Sequence, residues 1–88
     1  MAIQYPVLHM GCTPNPAFTI IPQSNPNILI DGNAVITSFT WKSNSDPSST
    51  GQIMGNSTSM FADNQPVVIM DAAVTPYYTN PSPTVLSD

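Results

Sequence analysis

The sequence predicts a small all-β domain, on three observations. Ten prolines punctuate the 88 residues, their longest gap being 27–46, so helices have little room. The strong helix formers are scarce, with three Leu, one Lys and neither Glu nor Arg. Short β-branched and aromatic runs, bounded by Asn, Asp, Gly, Pro and Ser, read instead as strands.

Taken in chain order, the first apolar run is Pro6-Val7-Leu8-His9-Met10-Gly11. The proline-free gap reads as a strand pair, Asn27-Ile28-Leu29-Ile30 and Ala34-Val35-Ile36-Thr37, around Asp31-Gly32. Asp, Asn and Gly best tolerate the positive φ of a tight hairpin turn. Further on, alternation places Val35, Thr37, Phe39 and Trp41 on one strand face, with Ile36, Ser38, Thr40 and Lys42 opposite. The first set is expected to pack in the core. The polar stretch from Ser43 to Gly51 reads as a connection. Ser59-Met60-Phe61-Ala62 and Pro66-Val67-Val68-Ile69 then form a second pair around Asp63-Asn64. The prolines are expected largely at strand entries, turns and connecting loops.

Composition narrows the function classes. The length allows one domain, 1–88, with a thin core, since a chain this small buries about 60–65% of its unfolded surface. Hydrophobic content of 41% with only 7% charged residues is the reverse of a disordered chain; Ser, Thr and Asn do the solvating. Lys42 alone supplies basic charge in a chain of net charge −4, which argues against nucleic acid as a partner. A single Cys forms no internal disulfide. No apolar run approaches a membrane span, and no basic-then-apolar leader opens the chain. Catalysis has little footing: His9 is the sole His, Cys12 lies three residues on, and no third group is in evidence to orient the pair. The chain is expected not to be an enzyme.

Internal repetition organises these runs. The stretches 24–36 and 56–68 share a polar lead, an apolar strand, an Asp-Gly or Asp-Asn turn, and a small residue or Pro followed by Val. A third copy is cut in half. Pro81-Ser82-Pro83-Thr84-Val85-Leu86-Ser87-Asp88 matches the first strand up to the turn Asp, and Pro6-Val7-Leu8-His9 supplies the second. The turn aspartates Asp31, Asp63 and Asp88 are 32 and 25 residues apart, and 31 through the joined ends. Ten residues before each stands an apolar residue, Ile21, Ile53 or Tyr78, marking a further strand per copy. A lone hairpin is marginal in water and must bury a face. The expected architecture is therefore three pseudosymmetric hairpins closed around an axis, the third completed by joining the N- and C-terminal strands.

These residues resemble the PAAR-repeat family and its PAAR-like relatives, small conical proteins that cap the spikes of contractile phage tails, type VI secretion systems and related injection particles. The family's element is a polar lead, Ser-Pro-Thr-Val-Leu-Ile, a turn, then Pro-Ala-Ala-Arg. The chain carries Ser82-Pro83-Thr84-Val85-Leu86 and the variant Asn25-Pro26-Asn27-Ile28-Leu29-Ile30-Asp31-Gly32. Its half-motifs depart from the signature, reading Pro6-Val7-Leu8-His9, Ala34-Val35-Ile36-Thr37 and Pro66-Val67-Val68-Ile69, without Arg.

The resemblance implies a structural, membrane-piercing role: one cap per trimeric β-helical spike, meeting the target-cell envelope only transiently. It implies residence at the tip of a virion tail or injection-system spike, assembled in the bacterial cytoplasm without a signal peptide. Family members commonly hold a metal near the apex through several His and a Cys. Zinc takes four such ligands. Here only His9 and Cys12 are on offer, so no cofactor is expected, and those two are the candidate ligands were zinc or iron to bind. The alternative is a stand-alone β binding module, an adhesin or glycan-binding domain, with Trp41, Tyr77 and Tyr78 stacking on sugars.

Overall fold

The computed structural model describes residues 4–79 and 85–87. Every regular element among them is a strand: β1 (Tyr5–Pro6), β2 (Thr13–Pro14), β3 (Phe18–Ile30), β4 (Asn33–Ser43), β5 (Thr50–Met54), β6 (Phe61–Ala62), β7 (Gln65–Pro66), β8 (Tyr78–Thr79) and β9 (Leu86–Ser87). The domain is all-β, built of small antiparallel sheets: β3-β4-β5, and the pairs β1-β9, β2-β8 and β6-β7.

The hairpin turns form as their chemistry predicts. Asp31 and Gly32 have φ of 51° and 81°, and Asp63 and Asn64 have 51° and 67°, so both central residues of each turn are left-handed. Asp88, the third turn aspartate, lies outside the described residues, as do Pro81, Ser82, Pro83 and Thr84 of the third lead. The third hairpin nonetheless closes. Leu86 stands opposite Pro6 and Ser87 opposite Tyr5, the register of Phe61–Pro66 and Ala62–Gln65 in the second hairpin and of Leu29–Ala34 and Ile30–Asn33 in the first.

The three copies meet in a ring of backbone hydrogen bonds. Leu8 N–H donates to the Val68 carbonyl (2.8 Å), Val68 N–H to that of Ile36 (2.9 Å), and Ile36 N–H to that of Leu8 (3.0 Å). These are the third residues of the three half-motifs. Successive side chains leave an extended backbone on opposite sides, so the ring separates two apolar layers. Val7, Val35 and Val67 join Ile30, Ala62 and Ile69 in one cluster. Leu8, Ile36 and Val68 join Cys12, Phe39, Met70, Val74 and Tyr78 in the other. The six ring-flanking side chains are at most 1% exposed. Asparagines add a cross-repeat tie, Asn25 and Asn27 both donating to the Asp63 carboxylate at 2.7–2.8 Å.

Two expectations are corrected, and two prolines are exceptions to the general placement. The alternation through Val35, Thr37, Phe39 and Trp41 breaks, because Gln23 pairs with Ser38 but Ser24 with Ile36, leaving Thr37 as a bulge. A bulge inverts the face of everything beyond it. Phe39 and Trp41 therefore pack in the cluster of Ile36, away from Val35. Pro22 and Pro26 lie inside β3 rather than at a start or turn. Pro22 is tolerated because β3 is an edge strand, and Pro26 falls in the irregular stretch between the Asn25–Val35 and Leu29–Ala34 pairs. Finally, the second hairpin's ladder is only two pairs long: the Val67 N–H still donates to Met60 across the hairpin, but the Val67 carbonyl accepts from Asn56 and Ser57, and Val68 bonds Ile36 and Leu8. Ile21, Ile53 and Tyr78 do fall in strands, β3, β5 and β8; Ile21 is 66% exposed, and Ile20 is the residue packed on the core.

Candidate functional site

His9 and Cys12 come together. Both are buried at 5% exposure, and the turn between them is closed by the Cys12 N–H donating to the His9 carbonyl at 3.0 Å. They line, with Met10, Pro14, Pro22, Ile36 and Tyr78, a partly open cavity of about 80 Å³. Substrate pockets run to roughly 300–1,000 Å³, so this one has room for a few waters. Burial, with the neighbouring Cys12, pushes the Tyr78 hydroxyl up to about 12.

The hydrogen bonding of His9 decides what the cavity can hold. The Gly11 N–H donates to His9 Nδ1 at 3.0 Å. A neutral imidazole that accepts at Nδ1 carries its proton on Nε2. Nε2 is buried with no hydrogen-bond partner. His9 Nε2 thus holds an N–H in a buried position, whereas a metal ion needs a lone pair there. His9 and Cys12 would supply two of four zinc ligands, and no group of three His, Cys, Asp or Glu side chains able to hold a metal occurs among the described residues. A zinc or iron ion does not fit the arrangement. The same bond occupies the only basic nitrogen, so His9 is not placed to take a proton from the Cys12 thiol.

Gly11 is required for this geometry. A Cβ there would lie 2.9 Å from His9 Cε1 and 2.7 Å from Asn33 Nδ2. Spacing alone places His9 and Cys12 near one another; the tautomer depends on a backbone N–H that only the folded turn aims at the ring.

The remaining half-motif residues are structural. Pro6 and Pro66 pair in hairpins, Ala34 pairs with Leu29, and the Val and Leu or Ile positions fill the two core layers. Thr37 and Ile69, which occupy the position of His9 in their copies, are buried at 8% and 4%. At the far end of the three-stranded sheet, Trp41 stacks on Tyr77 (4.9 Å, 22°) and Phe18 meets both edge-on. Trp41 also covers Gly51, its cross-strand partner. Tyr78 is 2% exposed and packs on Phe39.

Position-by-position comparison of the repeats brings out residues that the motifs alone did not single out. Leu29, Phe61 and Leu86 each stand two residues before a turn Asp and are 58%, 50% and 45% exposed. No protein-family model, curated protein or solved structure matches the chain.

Proposed function

We propose that this chain is a PAAR-like spike-tip protein that caps a trimeric β-helical spike of a contractile injection machine, a phage tail or a relative, and sharpens it for envelope penetration. The observation that carries this reading is the ring joining Leu8, Ile36 and Val68, closed with one strand from each end of the chain. A single polypeptide with three equivalent hairpins suits a role in which a three-fold partner must end in one chain. The composition agrees: with one Lys and five Asp, docking would rest on apolar contact and backbone hydrogen bonding and would be weakly salt-dependent.

The glycan-binding alternative has less in its favour. Trp41 and Tyr77 stack on each other, and Tyr78 is buried, so the three rings do not form an open platform. The test is co-elution of the purified protein with the trimeric β-helical spikes encoded in its source genome. A stable complex with one of them is expected, and failure to bind any would overturn the reading.

A further inference from the structure

We infer that Leu29, Phe61 and Leu86 form a three-point apolar docking surface for a partner presenting one apolar contact from each of three identical chains. Six large hydrophobic side chains are exposed among the described residues: Met10, Ile21, Leu29, Met54, Phe61 and Leu86. Three of these occupy one position in three hairpins. Each lies between two residues turned toward the core or partly buried against it, Ile28 and Ile30, Met60 and Ala62, Val85 and Ser87. An outward position on a one-sided strand is ordinarily polar. This chain solvates its surface with Ser, Thr and Asn, yet spends Leu, Phe and Leu at this one position in all three copies.

The cross-strand neighbours extend the surface. Leu29 faces Ala34, Phe61 faces Pro66, and Leu86 faces Pro6. Pro6 and Pro66 have no N–H to solvate, which removes one hydration site beside two of the three side chains. A partner meeting one site would use one contact; a trimer meeting the closed ring of hairpins uses all three at once, and the second and third engagements become intramolecular. The choice of a trimer rests on the cap reading above, whereas the apolar position in each hairpin does not.

The test compares Leu29→Gln, Phe61→Gln and Leu86→Gln, singly and together, with Ile21→Gln and Met54→Gln, which change equally exposed apolar residues at unrelated positions. Thermal unfolding first establishes that each variant folds, and affinity for the spike that binds the parent protein is then measured. Each of the first three is expected to weaken binding by about tenfold, the triple variant by at least about 100-fold, and the two controls by less than about twofold. If the parent protein binds but the triple variant binds as well, or the controls fall equally, the docking surface is overturned while the cap reading stands. If the parent protein binds no spike, both fall. Self-association of the parent protein that the triple variant abolishes would also overturn the choice of partner, pointing to a second copy of this chain.

Discussion

Pro6 stands opposite Leu86 in the register that sets Pro66 opposite Phe61. The two ends of the chain thus build one hairpin of the same kind that a continuous segment builds elsewhere, and the Val7 N–H donates to the Val85 carbonyl as the Val67 N–H does to that of Met60, both at 3.1 Å. Closure gives strand edges that would otherwise be open a partner within the same molecule.

Because the ends are joined in space, the chain is expected to tolerate circular permutation. Linking the termini with a short flexible segment and opening the exposed 44–48 loop should give a protein with a far-ultraviolet spectrum like the parent's and cooperative unfolding. Deleting 85–88 instead should abolish cooperative unfolding, because it removes the partner of β1. A deletion variant that melts like the parent would contradict the closed ring.

The third hairpin places Ser87 where the others place Ile30 and Ala62, and this hydroxyl is buried with partners. Ser57 and Ser87 hydroxyls lie 2.7 Å apart, and Ser57 Oγ accepts from the Met60 N–H at 3.0 Å. Ser57→Ala and Ser87→Ala should each cost about 0.5–1.5 kcal/mol in urea unfolding, by removing the hydrogen bond between the two hydroxyls. The double variant should cost less than the two together by at least about 0.5 kcal/mol. Additive losses would mean the hydroxyls do not meet.

Two glycines should respond in opposite degree. A Cβ at Gly55 would overlap the Pro66 carbonyl, a backbone atom that cannot turn aside, so Gly55→Ala should cost at least about 3 kcal/mol. Gly32 has open space around it but φ of 81°, so Gly32→Ala should cost about 1–2 kcal/mol from backbone strain alone. Equal melting temperatures for the two variants would contradict the packing of residue 55 against β7.

Much of the turn and repeat structure was legible because it is local. Asp-Gly and Asp-Asn announce left-handed turns whatever surrounds them, and both turns are present. The bulge at Thr37 was not legible, since it belongs to the mismatch between β3 and β4 and leaves no trace in the periodicity of β4 alone. Nor was the fate of Val68: its composition says strand, but the carbonyl receiving its N–H lies 32 residues away on Ile36. At the His9–Cys12 cavity the residue types were legible and the chemistry was not, because the Gly11 N–H selects the tautomer.

Tyr78 carries a pH signature. Its hydroxyl is pushed up to about 12, first by burial and then by Cys12, from the ordinary 10.0. The unfolded chain therefore releases this proton first as pH rises. Stability from the neutral hydroxyl is fully present below pH 10 and is lost as pH climbs toward about 12. Absorbance titration of tyrosinate should show a late step near pH 12 that Tyr78→Phe removes. A parent protein with no such step would contradict the buried placement.

The His9 tautomer predicts indifference to metal. Protein purified without added metal should carry less than about 0.1 equivalent of zinc or iron by elemental analysis, and a chelator should leave its melting temperature unchanged. A bound equivalent whose removal lowers the melting temperature would mean that the Gly11–His9 bond yields to a metal ligand.

The central claim, that one chain with three equivalent hairpins closes a three-fold partner, is tested most directly by the mass of an intact complex with a trimeric β-helical spike from the source genome. Native mass spectrometry should give one copy of this chain per three spike chains. Three copies per trimer, one on each spike chain, would contradict the account.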